Sequence, residues 1–267
     1  MIVRTRLGRV GFDDAGAGAA VLLLHGFPHD RTLWTPQLRA PAAGCRYIAP
    51  DLPGFGESDR LATPSLDTWA DGMIALLDTL GVARAIVGGL SMGGYLALAC
   101  WRRHPERVAG LVLADTRAGG DTPEARTRRV EMQALARTEG AGAIVERMAP
   151  GMTGRTTRES RPEVVATLDT MMRRATPDAL VDALQVLMDR PDATAALATI
   201  AVPTLIPCGD EDVLTPVAES EAMRAAIPGS ALEVIRGAGH VSNVEAPSAF
   251  NRLLSAFATA TIRSGQT

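Results

Sequence analysis

Lysine is missing from this chain: all 27 basic residues are arginine. That absence removes whole chemistries, because there is no side-chain amine to form a Schiff base, to serve as a phosphate-loop lysine, or to act as the base of a serine–lysine pair. Histidine is nearly as scarce. Only His25, His29, His104 and His240 occur, so a proton shuttle working near neutral pH must be drawn from these four. The three cysteines, Cys45, Cys100 and Cys208, are far apart in apolar or strand-like stretches and form no Cys-x-x-Cys pair, which predicts buried free thiols in a reducing compartment. Scattered histidines and unpaired cysteines offer no ligand cluster, so neither a metal nor an organic cofactor is expected.

A basic surplus is also lacking. The 27 basic and 30 acidic residues leave a net charge of -3, the opposite of what neutralising a phosphate backbone requires, so nucleic acid is not an expected partner. No hydrophobic run is long enough to span a membrane. Ala85 to Trp101 is uncharged between Arg84 and Arg102, but it falls short of the roughly 20 apolar residues needed and is broken by Gly88, Gly89, Ser91, Gly93 and Gly94. It reads as a buried strand, a tight turn and a buried helix, and membrane association is not expected. The N-terminal MIVRTRL has no apolar stretch of signal-peptide length, so a cytoplasmic location is the expectation.

What is present is a large apolar fraction, 46% of 267 residues, enough for one sizeable α/β core. Short β-rich runs alternate with helical patterns through the first half, as in a mostly parallel sheet with helices on both faces. The strand candidates are Val3 to Leu7, Val10 to Asp13, Val21 to Leu24, Tyr47 to Ala49, Ala85 to Val87 and Val108 to Ala114. Between Ser65 and Leu80 the apolar residues fall at helical spacing and Gly81 supplies the stop. The alternation ceases from Arg117 to Ile200, where only helical patterns occur, punctuated by Pro123, Pro150, Pro162, Pro177 and Pro191. It resumes with a strand at Thr204 to Cys208, a helix near Val217 to Ala226, a strand at Leu232 to Ile235 and a last helix from Pro247 to Ala258, after which a polar tail beyond Thr261 is expected to fray. The expected organisation is a core of residues 1–116 and 201–267 interrupted by a helical cap at 117–200. Twelve arginines balance twelve carboxylates within that cap, so its composition announces no ionic substrate. It contains no Phe, Trp or Tyr but six methionines, of which Met132 and Met148 are candidates to line an adaptable apolar pocket, with Trp34 contributing from the core.

Chemistry concentrates at four places. Gly89-Leu90-Ser91-Met92-Gly93 follows a strand and precedes a helical run, a setting in which a serine is pushed out of the sheet on a sharp turn above a helix N-terminus. Serine needs a base. His25 closes an apolar strand where the backbone matters more than the ring, His29 lies in an exposed-looking loop, and His104 ends a helix before Pro105. His240, in a glycine-rich loop after a late strand, remains as the base. Its orienting carboxylate is expected to be Asp212, at the end of the preceding strand, with Asp210, Glu211 and Asp115 as competitors. Backbone N–H groups of Phe27 and Met92 are the expected oxyanion donors.

His25-Gly26-Phe27-Pro28, Gly89-Leu90-Ser91-Met92-Gly93, Asp212 and His240, in that order, resemble the α/β-hydrolase superfamily, and Asp51-Leu52-Pro53-Gly54-Phe55-Gly56-Glu57-Ser58 is similar to the structural turn after that family's fourth strand. Within it, the stretch from His25 through Trp34 together with Gly88 to Gly94 looks like small bacterial carboxylesterases and 3-oxoadipate enol-lactone hydrolases, with non-haem haloperoxidase or perhydrolase relatives sharing much of it. Serine at position 91 argues against dehalogenases and epoxide hydrolases, which carry aspartate there, and against dienelactone hydrolases, which carry cysteine. The resemblance implies two-step acyl transfer on a small-molecule ester or lactone of small to medium acyl chain. Enol-lactone or carbon–carbon bond hydrolysis, perhydrolysis, or a slow-turnover ligand sensor on the same fold are its alternatives.

Overall fold

The structure, a computed structural model, describes residues 1–264. Eight strands form one sheet: β1 (Ile2–Thr5), β2 (Gly8–Gly16), β3 (Ala19–Leu24), β4 (Cys45–Pro50), β5 (Ala85–Leu90), β6 (Val108–Ala114), β7 (Thr204–Gly209) and β8 (Ala231–Ile235). Their spatial order is β1-β2-β4-β3-β5-β6-β7-β8, and β2 pairs antiparallel with both β1 and β4 while every other pair is parallel. Among the described residues ten α-helices connect and cover them: α1 (Thr35–Leu38), α2 (Leu66–Thr79), α3 (Met92–Arg103), α4 (Pro123–Met152), α5 (Arg155–Ser160), α6 (Pro162–Met172), α7 (Pro177–Asp189), α8 (Val217–Ala226), α9 (Ser242–Glu245) and α10 (Pro247–Ser264).

The two faces of the sheet are written into β3. Val21 and Leu23 pack into one apolar cluster with Trp34 and Phe250, whereas Leu22 and Leu24 pack into the other with Trp69 and Leu96. All four β3 side chains are fully buried, which is why the strand reads as a continuous apolar run and not as an alternating one. Truncating Leu22, Leu23 or Leu24 to Ala belongs to the class of core deletions costing roughly 2–5 kcal/mol.

Local chemistry starts the helices. Ser65 caps α2 through a capping box with Thr68, and Thr122 and Thr176 cap α4 and α7 ahead of a proline at the first helical position. Pro123, Pro162 and Pro177 therefore open helices as expected, while Pro150 sits in the last turn of α4 and Pro191 follows α7. Gly140 takes a left-handed φ of 75° and kinks α4 into two arms. The last helix continues through Ser264, so the fraying expected after Thr261 does not begin there, and residues 265–267 lie outside the described part. Helices α4 to α7 all lie between β6 and β7, which are neighbours in the sheet. All three cysteines are buried and free. Among the described residues no helix is long and apolar enough to cross a membrane.

Candidate active site

Ser91 stands between β5 and α3 with φ 54° and ψ -114°, a conformation that costs a non-glycine residue energy and needs outside support. The support is a ring of hydrogen bonds to the Ser91 backbone. The Ser91 N–H donates to the Ala114 carbonyl (2.9 Å), and the Ser91 carbonyl accepts from the Gly94 N–H (2.9 Å) and Thr116 Oγ1 (2.8 Å). Glycine is required on both sides. A Cβ at Gly89 would stand 1.9 Å from the Gly93 carbonyl oxygen, and one at Gly93 would stand 2.1 Å from the Leu24 carbonyl oxygen.

The turn aims Ser91 Oγ at His240, whose Nε2 is 2.8 Å away. The other ring nitrogen of His240, Nδ1, is 2.8 Å from Asp212 Oδ2. Asp212 is fixed in turn, because its Oδ1 accepts from the Leu214 N–H (2.8 Å) and the Thr215 N–H (3.0 Å) and its Oδ2 from Thr215 Oγ1 (2.6 Å). Burial alone pulls the His240 pKa down. The Asp212 charge and hydrogen bond outweigh that and raise it above the ordinary imidazole value. Burial pushes the Asp212 carboxyl up, but the His240 charge and hydrogen bond, with the Thr215 donors, hold it below the usual range. A serine hydroxyl facing a base whose conjugate acid is stabilised by a buried carboxylate can add to a carbonyl carbon.

The competing carboxylates have other partners. Asp210 accepts from the Gly237 N–H (2.7 Å) and Glu211 from Thr156 through its N–H (2.7 Å) and Oγ1 (2.6 Å). Asp115, fully buried at a φ of 44°, accepts from the Gly209 N–H (2.9 Å) and Ser242 Oγ (2.6 Å). Its burial and the nearby Asp212 charge raise its carboxyl to about 8.

Phe27 and Met92 both line the cavity above Ser91, and neither backbone N–H has an acceptor among the described residues. Met92 is the first residue of α3, where helical N–H groups have no partner within the helix. Gly26 keeps the Phe27 turn close: a Cβ there would stand 3.3 Å from Ser91 Cβ. The cavity measures about 480 Å³, within the usual range for small-molecule sites. Met132, Met148 and Met152 line it from the inserted helices, and Val213 and Leu214 from the loop that carries Asp212.

Three expectations are corrected. Trp34 does not reach the cavity. Asp30 caps the 3-10 turn Arg31–Trp34 by accepting the Thr32 N–H (2.9 Å), and this turns the indole inward, where it is fully buried 5.9 Å from the Phe250 ring. His29 is buried, not exposed, because its N–H donates to the Gly26 carbonyl (3.0 Å) and folds the loop inward; burial, with His25 and His240 nearby, lowers its pKa to about 3. The ring of His25 matters as much as its backbone. Its Nδ1 donates to the Gly26 carbonyl (2.9 Å) and its Nε2 accepts from the Leu52 N–H (3.0 Å), tying the Phe27 turn to the loop after β4. In that loop Asp51 pairs with Arg31 and accepts the Glu57 N–H (2.9 Å), the structural role expected for the turn.

Residues 19–247 match the family model of the alpha/beta hydrolase fold. The chain belongs to that family. Among solved structures it is 37% identical to a thermophilic esterase from Thermogutta terrifontis, solved with malate bound, at a TM-score of 0.94 with 98% of each chain covered. It is 25% identical to the enol-lactonase from Burkholderia xenovorans LB400, at a TM-score of 0.89, covering 97% of this chain and 100% of that one. It is also 31% identical to 2-hydroxy-6-oxononadienedioate/2-hydroxy-6-oxononatrienedioate hydrolase 2 of Pseudomonas putida, over 91% of this chain and 89% of that protein. Membership makes the chain a hydrolase of this fold, and the relatives span several hydrolytic reactions.

Proposed function

We propose that this hydrolase cleaves carboxylic esters of small to medium acyl chain through a covalent acyl-enzyme. The observation that carries the reading is the continuous relay of two 2.8 Å contacts, from Ser91 Oγ to His240 Nε2 and from His240 Nδ1 to Asp212 Oδ2. His240 takes the Ser91 proton as Ser91 Oγ bonds to the ester carbonyl carbon, and Asp212 stabilises the imidazolium. The Phe27 and Met92 N–H groups hold the oxyanion; one such donor is worth on the order of 100- to 1,000-fold in rate. Collapse of the intermediate expels the alkoxide, which takes its proton from His240. Water then attacks the acyl-enzyme by the same route and releases the acid. The 37% identity to the Thermogutta esterase supports the ester over the alternatives.

The test is hydrolysis of p-nitrophenyl esters of graded acyl length by the wild type and by Ser91→Ala, with folding matched by circular dichroism. A rate that depends on acyl length and falls at least 1,000-fold in the variant is expected. A wild type no faster than Ser91→Ala across the series overturns the esterase reading and passes the question to lactones, to which the Burkholderia neighbour points.

A further inference from the structure

The charges of the inserted helices cancel in composition but not in space. Four arginines, Arg117, Arg128, Arg129 and Arg147, line the cavity that contains Ser91 and His240, and no carboxylate among the described residues does. Their partners explain only part of this charge. Arg147 pairs with Glu131 at the surface (3.1 Å). Arg117 and Arg129 converge on one carboxylate, Asp121, at 3.4 Å for Arg117 Nη2 and more closely for Arg129 Nε. That same carboxylate, whose side chain is fully buried, also receives Arg190 Nη1 at 2.6 Å. One negative charge thus holds three guanidinium groups, two of which face the cavity, and Arg128 lies exposed beside them.

The cluster is built into the wall next to the reacting serine. Arg190 is nearly fully buried, lies 4.3 Å above the Tyr95 ring centroid, and donates to the Leu187 and Gly119 carbonyls (2.7 and 3.0 Å). Tyr95 itself lines the cavity, and its N–H donates to the Ser91 carbonyl (3.3 Å), one helical turn from the nucleophile. Arg117 Nη2 reaches Asp121 only at 3.4 Å, so this guanidinium is the most loosely held of the three. Guanidinium groups in such a cluster match planar carboxylates through paired N–H donors.

We infer that the cavity recognises a substrate carrying a free carboxylate at the end remote from the scissile carbonyl, with Arg117 and Arg129 as the receiving pair and Arg128 at the entrance. The inference extends the ester-hydrolase reading by naming its substrate class, a half-ester of a dicarboxylic acid or an acid-bearing lactone. The remote carboxylate is not consumed; it places the acyl chain along Met132 and Met148 with its carbonyl over Ser91.

Two arms test it. In the first, p-nitrophenyl hydrogen pimelate and p-nitrophenyl heptanoate, equal in acyl length, are compared at 50 and 500 mM NaCl in the wild type, Arg117→Gln and Arg128→Gln. Arg128 is exposed, so its variant guards against misfolding at position 117. In the second, pimelate binding to Ser91→Ala is measured by calorimetry, with inorganic phosphate as a competing anion. The expected result is at least a tenfold preference in kcat/KM for the acidic ester, reduced at least fivefold by high salt and by either substitution, and pimelate binding that shows the same losses. Equal or faster cleavage of the heptanoate with no pimelate binding overturns the inference, as does tighter binding of phosphate than of pimelate. If neither ester is cleaved but pimelate binds with the expected arginine and salt dependence, the esterase reading falls while the carboxylate site stands.

Discussion

Glu245 and Gly154 are joined by a buried hydrogen bond of 2.8 Å, from the Gly154 N–H to Glu245 Oε2. The other oxygen of the same fully buried carboxylate accepts the Gly239 N–H (2.8 Å) and the Val241 N–H (3.2 Å), the two residues flanking His240. One side chain therefore holds the histidine loop and ties it to the inserted helices. In Glu245→Gln an amide NH₂ must face one of these N–H donors. The loss of a charged acceptor for buried donors predicts a destabilisation of roughly 1.5–3 kcal/mol. We expect kcat for p-nitrophenyl esters to fall about tenfold with the histidine loop loosened, measured alongside urea unfolding.

The raised pKa of His240 sets the direction of the pH–rate profile. On the proposed mechanism His240 must be neutral to accept the Ser91 proton, so kcat/KM is expected to fall as pH drops through an apparent pKa above 6.5 and to reach a plateau on the alkaline side. Asp212 raises that pKa, so Asp212→Asn should move the limb to lower pH and reduce kcat by on the order of 10³–10⁴-fold. A profile whose midpoint does not move would show that Asp212 does not act on His240.

His29 predicts acid sensitivity of the fold. Its folded-state pKa near 3 lies below the unfolded value of 6.5, so between these limits the unfolded chain binds a proton that the folded chain excludes. Stability from this group is complete above pH 6.5 and is lost as pH falls towards 3, with a slope near 1.4 kcal/mol per pH unit. His29→Phe, which suits an apolar site, should flatten the curve of unfolding free energy between pH 4 and 6 relative to wild type.

Asp115 works in the opposite sense. Its carboxyl is neutral in the folded state up to about pH 8 but ionises near 3.8 when unfolded, so the unfolded chain holds fewer protons across this window. Stability from the group is complete below 3.8 and declines as pH rises through 8. Asp115→Asn cannot ionise, so its stability relative to wild type should improve steadily from pH 4 to pH 8. A constant difference across that range would show that Asp115 does not titrate in this window.

The parts legible in the sequence are those whose chemistry is local. Ser91 announces itself because the glycines at 89 and 93 are needed within two residues of it for the backbone to pass, and the β3 run is readable because burial on both faces leaves only apolar residues. Residues defined by what they meet across the fold are silent. Glu245 looks like an ordinary helical glutamate until Gly154 is brought to it, and Thr215, which touches both Asp212 and His240, looks like a loop threonine. Arg117 and Arg129 are two of twelve balanced arginines until Asp121 draws them together. Trp34 and His29 mislead for the same reason, since the cap supplied by Asp30 and the bond from His29 to Gly26 decide which way a short loop folds.

Because β6 and β7 are adjacent and parallel, the chain leaves the sheet after Ala114 and re-enters it at Thr204, beside Leu111, about three residues of strand (roughly 10 Å) back along the sheet. Whatever connects those two ends crosses the same fixed separation, and the entropy of closure rises only slowly with the length of the connecting segment. A crossover of this kind is expected to tolerate replacement by one of another length, provided that it seats on the same socket. Its pins include Glu211 against Thr156 and Glu245 against Gly154, with Arg60 against Asp178 and Asp182 and Arg174 against Asp30 beside them. On the proposed mechanism, a transplanted cassette that presents two backbone N–H groups to those glutamates is expected to inherit Ser91 and His240 already in contact, and to bring only its own preference for what they attack.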